Sequence, residues 1–492
     1  ASMSALNANM DSTMGSTAGT LNRSVFATTL PTNSSLDLTS TVAAFDLNTA
    51  LNYGKTTASN AGLMTFNGLS SNGTTFTLSG GTYTSALTQS YNGLVALGAN
   101  ATLTGTQITT ASTVAGSANR YNLTVNGPLT TGGSMTNLGV FNMNGLATLG
   151  GTQVTSGGTQ TYSGNVVMQD SGSTFGFNST LGGTGAAMSF AGTLTSPTTK
   201  ALTLNAGATG DVTLATALAN TVTYTDVTVT GANLSLQAIA TSNSLTLNPT
   251  VAGTVGVISG ASSTLTKGAA GMMNLTAANT YGGNTTITAG ALKLTGSGSL
   301  GAGTYAGNVA ISSGAQLQDS SSTAQTLSGI ISGAGQVIKD TSSSVLTLSG
   351  LNTWSGNLTV NTGTVAVTQN NGLGNNAGTT TVASGAVLDL QNAVIGNETL
   401  NLNGGTLRVS TGSSSLLGAV SLGAASTLAV SGTSLTLSGV VNDNSYGLTL
   451  TGAGNTTLSN ASNTIHTVAS SGTVGGVSMK NSVALDVGLI SA

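Results

Sequence analysis

Asn279-Thr280-Tyr281-Gly282-Gly283-Asn284, followed by Gly290-Ala291-Leu292-Lys293-Leu294, decides how this chain is read. The same arrangement returns as Asn352-Thr353-Trp354-Ser355-Gly356-Asn357 and Gly363-Thr364-Val365-Ala366-Val367. The offset is 73 residues from Asn279 to Asn352, from Gly290 to Gly363 and from Gly301 to Gly374. Between Lys267 and Lys339 it is 72, so one residue has entered a loop. A fixed period of this kind marks a repeat architecture. Fainter echoes stand at Tyr162-Ser163-Gly164-Asn165 and Tyr305-Ala306-Gly307-Asn308, and a degraded third copy spans 448–465.

Within each copy the apolar residues alternate with polar ones, as in Leu292-Lys293-Leu294, Leu346-Thr347-Leu348, Leu407-Arg408-Val409 and Leu435-Thr436-Leu437. Period two is the signature of a strand with one face buried. The same phase predicts Lys293, Arg408 and Asp389 to point outward between inward aliphatics. Strands are short and stop at Gly, Asn or Ser, and helix signals nearly vanish after about residue 55. A 73-residue unit is too long for one coil and predicts about three rungs of ~20–25 residues. Leu, Val and Ile would stack into a narrow core, Thr, Ser and Asn would form outer ladders, and Gly would turn the corners. The expected fold is therefore an all-β parallel solenoid with a distinct N-terminal segment.

Composition agrees. Of 492 residues only 9 are Lys or Arg and 12 Asp or Glu, 4% in total against roughly 25% in ordinary domains. A net charge of −3 offers no footprint for nucleic acid or an anionic membrane. No apolar run is long enough for a spanning helix. Cysteine is absent, which excludes a disulfide framework and a thiolate metal site. The start at Ala1 without Met is what a processed, exported chain would show.

The two well-matched copies, 265–301 and 337–374, resemble the autotransporter-associated β-strand repeat of secreted bacterial passenger domains. The stretch from Tyr91 to Pro249 is similar in texture to filamentous-haemagglutinin-type adhesins. The resemblance implies a right-handed parallel β-helix at a bacterial surface. The chain departs from the autotransporter pattern in carrying no translocator barrel. The function it implies is mechanical: an extracellular, non-enzymatic fibre subunit or adhesin. Monomeric passengers that bind glycan or protein, and polysaccharide-active β-helix enzymes, are the alternatives.

All eight Phe precede residue 191 and all four Pro precede residue 250. This divides the chain into a capping or assembly segment (1–53), an irregular solenoid with larger core residues (54–260) and a regular solenoid (261–492). In the first, Leu38, Val42, Phe45 and Thr49 fit one helix face, while Leu36, Leu38, Phe45 and Leu47 fit strands.

Candidate chemistry is sparse. The twelve acids are scattered, and the expectation is solvated outward charges, although Asp319, Asp389 and Glu398 fall in related parts of successive units. His466 has no evident triad. Asn442-Asp443-Asn444 is a faint calcium signal, but Asn and Asp favour turns in their own right. Tyr162, Tyr281, Tyr305 and Trp354 would either stack on sugars from one outer face or pack at the rung corners with the following Asn closing the turn. No catalytic, cofactor or metal residues are assigned. The residues singled out are those of the repeat motif: Asn279, Tyr281, Gly283, Asn284, Gly290, Asn352, Trp354, Gly356, Asn357 and Gly363. Expected partners are further copies of the chain, joined head to tail, and host or matrix glycans. Ser482 to Ala492 alternates like a further strand, with Val483, Leu485, Val487 and Leu489, and reads as an open pairing edge.

Overall fold

The computed structural model describes residues 80–488 except 86–87, 170–171, 219–223 and 341–343, together with short strands between residues 36 and 78. It is an all-β parallel solenoid of about 19 turns. Among the described residues the helical content is a single 3-10 turn, Gly301–Gly303. No helix there is long and apolar enough to cross a membrane. Contacts divide the chain into two compact units, Ala1–Ala240 and Thr241–Ala492.

Stacking in the second unit follows directly from the alternation. Leu292 pairs with Leu317, Leu317 with Val337, Val337 with Leu358 and Leu358 with Thr380, in steps of 20 to 25 residues. Leu292, Leu294, Val365, Val367, Leu407 and Val409 are buried, while Lys293 and Arg408 between them are not. The predicted register holds at these positions.

The repeat unit is longer than expected by one face. Three turns carry Leu292 to Leu358, and its sequence counterpart Val365 lies on the next face, where it pairs with Leu346 and Leu388. Leu265 likewise reaches Ile331 after three turns, through Thr285 and Val309. Its counterpart Val337 again stands one face on. A turn has up to three strands with the same apolar/polar alternation, such as Thr399–Asn403, Thr406–Val409 and Ser413–Leu416, so the motif needs only a corner to sit in.

In the first unit the core is built from larger residues, as the Phe distribution implies. Tyr162 stacks on Phe190 with ring centroids 4.6 Å apart, and Phe141 and Phe177 meet the same ring edge-on. Leu36–Leu38 pairs with Leu63–Phe66, and Phe45–Asp46 with Leu69–Ser71, in parallel. Of the two readings of this segment, the strand is the one present at these residues. The remainder of 1–53 lies outside the described residues.

The C-terminal strand is shorter than the alternation suggests. Among the described residues of this stretch, Asp486–Val487 forms a strand, beside Thr467–Val474. Leu485 and Val487 are 39% and 53% exposed. Their exposure leaves this edge open among the described residues. Residues 489–492 lie outside the described residues.

Candidate functional site

The motif residues form the corners that hold one turn to the next. Asn279 and Asn352, both buried, do the same job. Asn279 Oδ1 accepts the N–H of Ile258 on the turn before (2.7 Å), and Nδ2 donates to the carbonyl of Ser299 on the turn after (3.0 Å). Asn352 takes the Ile331 N–H (2.8 Å) and donates to the Gly372 carbonyl (2.8 Å). Asn463, in the degraded third copy, repeats this with Val441 and Lys480. Corners leave backbone groups without ladder partners, and a buried carboxamide satisfies one donor and one acceptor at once. The outer asparagines act in one direction only. Asn165, Asn284, Asn308 and Asn357 each accept a backbone N–H from the following turn, at 2.9 to 3.1 Å.

The aromatic partners are all internal. Tyr162, Tyr281, Tyr305 and Trp354 are at most 1% exposed, so they present no sugar-stacking row. Tyr281 and Tyr305 share the Thr285 hydroxyl, each at 2.8 Å. The corner reading is correct for the rings, but Asn284 and Asn357 bridge to the next turn and do not close their own.

Glycine at these corners is a matter of space. A Cβ on Gly283 would lie 2.5 Å from the Ser263 carbonyl oxygen, and one on Gly356 would lie 1.8 Å from that of Gly335. Gly290 and Gly363 turn the chain with φ of 65° and 76°, in the left-handed region.

The expectation of solvated acids fails at four of them. Asp319, Asp389, Glu398 and Asp443 are at most 2% exposed. Asp389 keeps its predicted phase but is roofed over by Arg408 (3.0 Å), Gln391 (2.9 Å) and Ser410 (2.8 Å). Burial alone would raise its pKa, and these donors together bring it below the ordinary carboxylate value. Glu398 accepts from Thr380 Oγ1 at 2.8 Å, and burial raises its pKa. Asp319 meets Lys339. The three acids with related sequence positions thus have separate partners.

Asp443 sits in a turn whose Asn444 and Ser445 have positive φ. Its oxygens accept the N–H groups of Ser445, His466 and Thr467, and Nδ1 of His466 lies 2.7 Å from Oδ1. Burial opposes its ionisation, yet these donors lower its pKa. Both oxygens are committed to the protein, which fits the turn reading of Asn442-Asp443-Asn444. His466 has an acid partner that the sequence did not suggest.

The repeat lysines are also inside. Lys267 is fully buried and donates to the carbonyls of Ala269 and Ala289. Burial lowers its pKa from 10.5 to about 8. The unfolded chain therefore holds the extra proton between pH 8 and 10.5, and this group makes stability rise with pH through that interval. Burial raises the pKa values of Tyr162, Tyr281 and Tyr305 above 10.0, so their contribution is complete below pH 10.0 and is lost as pH climbs beyond it. Denaturant midpoints measured against pH should increase from about 8 to a maximum near 10 and then fall. Lys267→Met should abolish the rise and keep the fall. An unchanged rise in that variant would remove Lys267 from the account.

At the far end of the second unit the strands Val477–Met479 and Asp486–Val487 are the last of their sheets. Beneath them a cavity of about 360 Å³ is lined by Leu450, Val468, Val474, Val477, Leu485 and Val487 among others. In the first unit, Phe45–Asp46 is the edge of an eight-stranded sheet.

Comparison with models of protein families, with curated proteins and with solved structures gives no match to this chain.

Proposed function

We propose that the chain is a non-enzymatic, extracellular structural protein, a subunit of a bacterial surface fibre or adhesin that assembles head to tail. The observation that carries this reading is where its reactive side chains are spent. Asn279, Asn352 and Asn463 join successive turns, and Lys267 and Asp389 are likewise bonded to the turn beside them. Such a stack resists being pulled apart but leaves these groups little to offer a substrate. The low charge also limits repulsion between copies.

Head-to-tail growth is favoured by the sheet edges. A parallel sheet presents different edges at its two ends, so copies adding edge to edge meet through unlike surfaces and the contact does not close on itself. The occupant of the Val477/Leu485/Val487 surface is then the leading turn of a second copy, the Phe45–Asp46 side.

Sedimentation and negative-stain electron microscopy of the purified chain should show filaments that lengthen with concentration. Val477→Asp with Leu485→Asp should stop growth and leave the circular dichroism unchanged, because both side chains are already exposed. A chain that stays monomeric at high concentration would refute assembly. Reducing-sugar release from a polysaccharide panel, abolished by Asp389→Asn, would refute the non-enzymatic part.

A further inference from the structure

Asp319 and Lys339 interrupt an aliphatic column. Along one face the inward residues of successive turns are Leu275, Leu294, Asp319, Lys339, Val360 and Val382, each the direct partner of the next. Lys339 Nζ lies 3.5 Å from Asp319 Oδ2, with both side chains at most 2% exposed. The Ser321 N–H donates to Asp319 Oδ1 (3.2 Å). Lys339 Nζ donates to Ser344 Oγ (3.1 Å), whose own hydroxyl donates to the Ser321 carbonyl (2.7 Å). Amine and carboxyl are thus held in contact and in register, one turn apart, in a site closed to water.

Taking two charges into such a column costs several kcal/mol per ion, and their attraction offsets this only when geometry and hydrogen bonding are complete. Here they are not complete, because Asp319 Oδ2 has no hydrogen-bond partner. Burial also raises the Asp319 pKa, against the lowering effect of Lys339. An amide in the same place would carry no charge.

We propose that Lys339 and Asp319 condense to an intramolecular isopeptide bond that joins consecutive turns through the core. One proton first passes from the Lys339 ammonium to Asp319 Oδ2; the neutral Nζ then attacks Cγ, the Nζ–Cγ bond forms and the Cγ–Oδ2 bond breaks. The two protons given up by the ammonium end on Oδ2, which leaves as water, so the positive and negative charges cancel without any oxidant or co-reactant. The Ser321 N–H faces Oδ1, the oxygen that bears charge in the tetrahedral intermediate and remains as the amide carbonyl. Ser344 fixes the direction of the amine. Holding the reacting groups about 3–3.5 Å apart replaces the entropy of a bimolecular encounter. The other buried pairs lack this chemistry: Asp389 faces a guanidinium, Asp443 an imidazole, Glu398 a hydroxyl and Lys267 two carbonyls.

The mass of the purified full chain decides the matter. It should fall short of the sequence mass by one water. Trypsin cannot cut after an acylated lysine, so a digest of the denatured chain should release 294–408 as one internally looped peptide, also one water short. A chain at its full sequence mass, yielding separate 294–339 and 340–408 peptides, overturns the proposal. So does a water loss that leaves Lys339 cleavable, which would indicate a cyclic imide at Asp319-Ser320. Lys339→Arg should restore the full mass, and a loss that persists in that variant again overturns it.

Discussion

Leu294→Asp should abolish cooperative folding of the second unit. Leu294 is 2% exposed and lies between Leu275 and Asp319 in one inward column. The substitution removes a buried aliphatic and sets an unpaired carboxylate in its place in the column. An unpaired buried charge costs several kcal/mol, and the lost packing adds to it. The total exceeds about 4 kcal/mol, the upper tail for single substitutions. Lys293→Asp, one residue away on the outer side, should shift stability by no more than about 0.5 kcal/mol. Chemical denaturation of the two variants checks the register. A reversed order of effects would mean that inside and outside have been exchanged, and equal effects would refute the register.

Gly356→Ala is the second large effect, and it comes from a single methyl group. Its Cβ would be placed 1.8 Å from the Gly335 carbonyl oxygen and 2.5 Å from that carbonyl's carbon. Backbone on the neighbouring turn cannot swing aside as a side chain can, so the two turns must separate at that corner. A loss of about 3 kcal/mol or more is expected, in the range of overpacked cores. Gly176 provides the contrast, since nothing lies within 4 Å of the position its Cβ would take and its φ is not in the left-handed region. Gly176→Ala should be neutral or stabilising by about 0.4–1 kcal/mol, through the smaller entropy of the unfolded chain. Thermal unfolding of both variants distinguishes crowding from glycine's flexibility as the reason for these corners. Similar effects at the two sites would favour flexibility.

The alternation carried most of the fold, because in a stacked solenoid the inside and outside of every strand are fixed by phase alone. The same phase held information at the charged positions that composition obscured. Lys267 is in step with Leu265, Lys339 with Val337 and Asp319 with Leu317, which assigns all three to the inner side. Expecting every charge to be solvated overrode that signal. Asp389 shows the converse, since its outward phase was legible but not the roof formed by Arg408 and Ser410, one turn later. The Asn corners were legible as a motif but not as a function. Their bonds join residues about twenty positions away, which no local pattern marks. At the end of the chain the alternation was legible, but among the described residues its strand is only Asp486–Val487.

The extra face in the 73-residue unit turns sequence duplication into a screw operation. Copying one unit within the regular part would carry everything downstream one third of a revolution around the stack as well as along it. A feature on the outside of one copy therefore reappears on another side in the next, as Thr266 and Ile338 do. Three added units would be needed to bring it back to the same side. Lengthening this protein by its own repeat would thus distribute any surface chemistry around the circumference, and a one-sided row would have to arise by substitution instead.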